Sequence, residues 1–453
     1  MSTTGQHQDS DALQRFLRPW TRPARRDFLF RNANIIDPVL GEVRTLQTVH
    51  VSGGIIQAVY ATAEEPARDH GDVVMVDATG RYLCPGLIDC HVHLSATPGT
   101  ETLATAFTMP EDVVKFRQPF VCRQVLERGF TAVRDCGGTT YALKEAVEEG
   151  VFPGPRMFLA GRALSQTGGH ADFRGVHNHE ECCAGAVTGL GRIVNGVPEC
   201  LKYAREELRG GADFIKIMAG GGVASPTDRL ENTQFTVDEI QAIAAVASSY
   251  QTYVTAHAYT PAAIRHAVDN GARAIEHGNL LDADTARYMA EHGTFLTPTL
   301  VAYAELAANR VPGYLSSTLA TKNARVLQSG LHALTLARDA GVTLCYGTDL
   351  PGAFGVAQAG EFALRAQVLS AAECLRCATV NAAQLLMQAD VLGQIRPGFA
   401  ADLLVLAANP LEDILVLDDP EKNMLLVMKD GRVEVSRWSS VAEEAVVRPG
   451  MIA

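Results

Sequence analysis

The sequence predicts an α/β protein, a (β/α)8 TIM barrel carrying a small β-sandwich domain built from the N- and C-terminal segments. Three observations lead there. From Pro85 to about residue 389, short apolar segments ending in polar residues alternate with amphipathic helical stretches, the texture of βα repetition around a parallel sheet. Ahead of that region lie short strands with no helices between them, and strand texture returns after it. At 453 residues the chain exceeds the roughly 250–300 at which a single core usually divides, so one large and one small domain are expected.

Residues 1–26 read as a flexible or packing arm: a polar start, then Arg15, Arg18, Arg22, Arg25 and Arg26 among Trp20 and prolines, without the apolar core of a secretory signal. Alternating segments at 28–36, 45–51, 55–60 and 73–77, punctuated by Gly and Asp, suggest an antiparallel sheet. Eight candidate strands follow at 87–93, 132–135, 156–160, 214–218, 253–257, 274–277, 295–298 and 344–349, enough to close a barrel. Between them lie helical stretches such as 119–128, 237–249, 261–270, 283–292 and 320–340; Gly129, Gly271, Gly293 and Gly341 stand where helix C-termini prefer glycine. After a helical stretch at 371–388, strands are expected at 402–406 and across 425–435, where Asp430-Gly431 marks a hairpin. A small strand set is marginal alone, so 27–78 and 390–437 are expected to join in one composite domain beside a barrel at 79–389, leaving a tail at 438–453.

Lys and Arg number 39 against 51 Asp and Glu, a net charge of −12. That balance argues against nucleic acid and anionic membrane as partners, because both require clustered positive charge; a small-molecule substrate is expected instead. No apolar run is long enough to span a bilayer. Ten cysteines include one isolated Cys374-x-x-Cys377 and the adjacent Cys182-Cys183, with no zinc-finger spacing. Reduced thiols and a cytoplasmic location are expected.

His91 and His93, two apart on a strand, point to the same face and can grip one ion. His257, His277 and Asp349 each close a predicted strand, and strand C-termini of such a barrel converge on one rim. Lys216 lies in Ala212-Asp213-Phe214-Ile215-Lys216-Ile217-Met218, an apolar strand running into Gly220-Gly221-Gly222. Burying a lone ammonium costs several kcal/mol, so such a lysine must pair, lose its proton or be modified. Its place among the histidines points to a metal ligand made by modification. A second pair, His177 and His179, follows no strand and reads as a solvated loop or a lid. The triple glycine lacks the Lys and Ser/Thr of a phosphate loop and more simply gives Lys216 room.

Pro85-Gly86-Leu87-Ile88-Asp89-Cys90-His91-Val92-His93, with Lys216, His257, Glu276-His277-Gly278 and Gly347-Thr348-Asp349, resembles the amidohydrolase superfamily. Within it the chain is most similar to the imidazolonepropionase-like and prolidase-like branch that includes ochratoxinase-type members. Val133-Arg134-Asp135-Cys136-Gly137-Gly138, Gly168-Gly169-His170 and residues 393–402 support this, so the resemblance runs from about residue 27 to 435. It implies two divalent metal ions, with Zn²⁺ suited to imidazole and carboxylate donors. Lys216 would be N6-carboxylysine formed with CO2 or bicarbonate, bridging the ions; His91, His93 and Asp349 would complete one site and His257 with His277 the other. Asp349 would also shuttle the proton; His170, after Gly168-Gly169 near the same rim, resembles a family position that touches substrate or else stabilises its loop, and Tyr259 and Arg134 are candidates for holding a substrate carboxylate. The implied activity is hydrolysis, by a water activated between the ions, of the C–N bond of a small N-acyl amino acid or dipeptide, carboxypeptidase-like, with ochratoxin A a plausible member. A cyclic-amide hydrolase of the imidazolonepropionase type is the enzyme alternative, a metal-free scaffold the non-enzyme one. Members of the family often assemble, so a homo-oligomer is expected.

Overall fold

The computed structural model describes residues 13, 16–65, 71–106, 109–178 and 190–443. Its N-terminal strands are β1 (Phe28–Asp37), β2 (Glu42–Ser52), β3 (Ile55–Ala61), β4 (Val74–Asp77) and β5 (Tyr82–Pro85). The parallel strands are β6 (Leu87–Val92), β7 (Phe130–Asp135), β8 (Arg156–Leu159), β9 (Ala163–Ser165), β10 (Gly191–Ile193), β11 (Ile215–Met218), β12 (Val254–Ala258), β13 (Ala272–His277), β14 (Phe295–Thr297) and β15 (Thr343–Leu344). Three more close the chain: β16 (Leu403–Leu406), β17 (Met424–Lys429) and β18 (Arg432–Ser436).

The barrel consists of a three-stranded parallel set, β6-β7-β8, and a seven-stranded one, β10-β9-β11-β12-β13-β14-β15. The third barrel strand is split: β8 pairs with β7, and after a break at Ala160–Arg162 β9 pairs with β11. Few backbone bonds close the ring: Asp213 N to Leu159 O on one side, and Cys90 N to Tyr346 O with Thr348 N and Asp349 N to His91 O on the other. The last strand is shorter than the predicted 344–349. Beyond Leu344 the amides bond in turn to Leu296, Cys377 and His91 rather than to one ladder, and Asp349 has a left-handed φ of 51°. Helices Val237–Ser249, Pro261–Asp269, Ala283–Glu291 and Ser317–Ala340 occupy the expected stretches. The stretch at 119–128 belongs to a longer helix, Glu111–Glu127, with Pro119 inside it, while 371–388 divides into Ala371–Cys377 and Val380–Leu385. Helices Tyr141–Glu148, Gly196–Arg209 and Leu300–Ala307 were not singled out by pattern.

Both chain ends build one eight-stranded sheet, ordered β18-β17-β16-β5-β1-β2-β3 with β4 beside β1. The join is β5, which runs antiparallel to β16 and parallel to β1, so the N-terminal contribution extends past residue 78 to Pro85. Phe28, Phe30, Val49, Leu403, Val405, Met428 and Val433 bury its core completely. The arm packs on this domain through Arg22 to Glu434 (2.6 Å) and Arg25 Nε to Asp430 O (2.8 Å). No described helix is long and apolar enough to cross a membrane. The eight described cysteines are free and buried; Cys182, Cys183 and His179 lie outside the described residues, and His177 is exposed.

Candidate metal centre and active site

The C-terminal ends of β6, β12, β13 and the segment after β15 bring four imidazoles and a carboxylate together. Ring centroids of His91 and His93 are 5.3 Å apart, His91 and His277 4.9 Å, and His257 and His277 4.6 Å. Asp349 Oδ1 lies 3.2 Å from His93 Nε2 and 3.5 Å from His91 Nε2. The close approach of the last strand depends on Gly347: a Cβ there would stand 2.2 Å from Thr297 Cγ2 and 3.0 Å from His91 Cβ. Both His277 (φ 73°) and Asp349 (φ 51°) are non-glycine residues in the left-handed region, a conformation that persists where surrounding structure enforces it and clusters at active sites.

Each ring is held through one nitrogen, and the Nε2 atoms of His91 and His93 turn toward Asp349. His91 Nδ1 bonds Glu276 Oε2 (2.7 Å) and His93 Nδ1 bonds Gly137 O (2.9 Å). His277 Nδ1 meets Thr299 Oγ1 (2.7 Å) and the hydroxyl of Tyr303 (2.9 Å), while His257 is held through Nε2 by Gly221 O (3.2 Å). Such outer contacts set tautomer and orientation in metal sites. Burial pushes His91 down to about 4 and His257 and His277 well below the usual histidine range. These three rings are thus neutral, the form that binds a cation, whereas burial of His93 is outweighed by the Asp349 carboxylate beside it, which raises that ring.

Lys216 is 1% exposed, and among the described residues no carboxylate lies within ion-pair distance of it. After burial, its charge is among the causes that lower His91, His257 and His277. For Asp349, burial pushes the carboxyl up, but His91, His93 and Lys216 together hold it below the usual carboxylate range. An ammonium among neutral imidazoles repels any cation brought there, whereas a carboxylated amine would attract one. The donor set therefore fits divalent metal ions once Lys216 is modified, and His91, His277 and Asp349 already offer atoms within 4.8 Å of one another.

Arg134 does not stand where a substrate carboxylate could reach it. It is fully buried, donating to Glu276 Oε1 (2.5 Å) and Cys90 O (2.6 Å), so it anchors Glu276 beneath His91. Thr255 also donates to Glu276. Burial would raise the Glu276 carboxyl, but Arg134 and His91 draw it well below the usual range, keeping it an anion. Asp135 shapes the loop that offers Gly137 O, accepting from Leu94 N, Gly137 N and Thr139 Oγ1. His170 stacks on His257 at 4.1 Å, and Tyr259 lies 4.9 Å from His257 with its hydroxyl on Tyr303 (2.8 Å). Both remain beside the centre. Glu276, Thr299 and Tyr303 went unremarked as supports. The one local signal was Glu276 next to His277 at a strand end, where the left-handed φ of His277 lets consecutive residues both serve the interior.

A parallel barrel gathers histidines, a carboxylate and a buried lysine at its C-terminal rim, a set of groups that could hold a metal ion. Residues 82–433 match the model of the amidohydrolase family, and the chain belongs to that family. It is 31% identical to ochratoxinase from Aspergillus niger over 417 residues, covering 88% of this chain and 85% of that one. Among solved structures it is similar to an amidohydrolase (44% identity, TM-score 0.86, 91% of this chain and 99% of that chain). It is also similar to a prolidase complexed with N-methylphosphonate-L-proline (42% identity, TM-score 0.86, 91% and 100%). The protein is a hydrolase acting on amide or peptide bonds.

Proposed function

We propose that the chain is a binuclear metal-dependent amidohydrolase that releases the carboxyl-terminal amino acid from small N-acyl amino acids or dipeptides. The observation that carries this reading is the convergence of four imidazoles and Asp349 around a buried lysine that makes no direct ion pair among the described residues. Carboxylated Lys216, His91, His93 and Asp349 would hold one ion, and Lys216, His257 and His277 the other. Divalent ions there would polarise the substrate carbonyl and bring the pKa of water from 15.7 to about 7. The similarity to ochratoxinase and to a prolidase holding an L-proline phosphonate supports a substrate with a free carboxylate on the leaving side.

The chain's own groups then have distinct tasks. Asp349, 26% exposed where its neighbours are buried, takes the proton of the attacking water and delivers it to the leaving nitrogen as the C–N bond breaks and a C–O bond forms. Tyr303 can donate to Tyr259, which frees the Tyr259 hydroxyl proton for a substrate oxygen, and His170, stacked on His257, is a second contact.

The test is product analysis on N-acetyl-L-phenylalanine, glycyl-L-proline, ochratoxin A and an imidazolone, before and after complete metal removal by chelation. Release of the free amino acid that is lost on chelation and restored by Zn²⁺ with bicarbonate is expected. Ring opening of the imidazolone alone, or turnover undiminished without metal, would contradict the proposal.

A further inference from the structure

The loop that follows β11 is gripped from outside the barrel. Lys322, on the helix Ser317–Ala340, brings its ammonium to Gly222 O (3.0 Å), Ser225 O (2.9 Å) and Asp228 O (2.7 Å), with Asp228 Oδ1 at 3.2 Å. Three carbonyls use all three of its N–H bonds, and the carboxylate balances its charge. The two side chains are 13% and 1% exposed, so solvent screens this knot little. Asp228 extends the grip by accepting from Gly222 N (3.1 Å), Gln234 Nε2 (3.1 Å) and the Ser225 hydroxyl.

Two arms run from the knot to the site. Gly221 O, next to the gripped Gly222, is the acceptor that fixes His257. Ser225 has a single hydroxyl proton and donates it to Asp228, so its oxygen must accept from His170 Nδ1, 2.7 Å away. His170 then carries its proton on Nδ1 and keeps Nε2 as an acceptor. The contact is tight as well as directed, since a Cβ on Gly222 would fall 1.9 Å from the His170 ring.

We infer that Lys322 is a positioning residue for amide hydrolysis: by stapling residues 222–228 it fixes the ring of His170 through Ser225 and that of His257 through Gly221. This rests on the amide-hydrolase reading of the site. The experiment compares wild type with Lys322→Met, Lys322→Arg and Ser225→Ala on the four probe substrates. It also measures bound metal and the deuterium uptake of peptides spanning 219–232. Measured at saturating Zn²⁺, Lys322→Met is expected to raise uptake in that segment and lower kcat/KM about tenfold, and Lys322→Arg to recover most of the rate. Ser225→Ala, which keeps the ammonium and its carbonyl bonds and removes the hydroxyl that links Asp228 to His170, should lose about tenfold as well. If Lys322→Met does not fold, Ser225→Ala decides. A rate within about twofold of wild type in the folded variants, or deuterium uptake across 219–232 unchanged in Lys322→Met, would overturn the inference. Should the wild type turn over none of the probes, the substrate reading falls, while deuterium uptake still shows whether the staple holds the loop.

Discussion

Buried beneath the cluster of imidazoles, Glu276 accepts from Arg134, Thr255 and His91 at once, and no other charge balances Arg134 there among the described contacts. Replacing it with Gln leaves a guanidinium buried without an anion, which costs about 3–5 kcal/mol when one partner of a buried pair is removed. Chemical denaturation of Glu276→Gln should register that loss, and its metal content should fall with it. On the proposal that carboxylated Lys216 bridges two ions, Lys216→Ala should abolish turnover and release metal; near-normal rate and metal in that variant would argue against the bridge. Asp349→Asn should lower kcat far more than it raises KM, because proton transfer matters in the transition state. Steady-state kinetics with an effect confined to KM would remove Asp349 from that task. At this scale the sequence was legible where chemistry and position coincide: His91 and His93 two apart on a strand, Asp349 after Gly347-Thr348. Arg134 was misjudged because a charged residue in a motif looks the same whether it faces a substrate or a buried glutamate. Lys322 and Ser225 gave no signal, since their partners lie 97 and 55 residues away.

Elements explain how these residues are kept in place. Asp89 on β6 accepts from Thr348 N, Thr348 Oγ1, Gln358 Nε2 and His91 N, which ties the first barrel strand to the segment after the last. Burial pushes its carboxyl up to about 6 against the pull of those bonds. A carboxyl raised on folding favours the native state when protonated, so its contribution is largest below pH 4 and declines as pH rises toward 6. The unfolding free energy of wild type minus that of Asp89→Asn should therefore fall by roughly 3 kcal/mol across that window. A difference independent of pH would show that Asp89 is not raised. The loop after β11 is the other critical element, and Gly222→Ala should cut activity severely by displacing His170, with little change in the stability of the barrel. Strand periodicity and glycine stops located most barrel units beforehand. The split of the third strand at 160–162 and the early end of β15 escaped, because both are set by where neighbouring amides find acceptors rather than by side-chain pattern.

Across the whole molecule, the chain's two ends meet in one sheet through β5 and β16 and bury a shared core. Truncation after residue 401 would strip β5 of its antiparallel partner and expose Leu83, Cys84, Phe28 and Phe30, so the shortened chain should be insoluble on expression. That the terminal strands belong together was legible from their marginal size, but β5 was not, lying so close to the His91 motif that its four residues read as part of the barrel. The two domains and the rim cluster matter only if they assemble one metal centre around a modified Lys216, and this is directly measurable. The protein should be reconstituted with Zn²⁺ and ¹³C-bicarbonate and its ¹³C spectrum compared with that of Lys216→Ala. The account predicts a carbamate carbon resonance in the wild type that is absent from the variant. A wild-type protein loaded with metal and active, yet lacking that resonance, would contradict it.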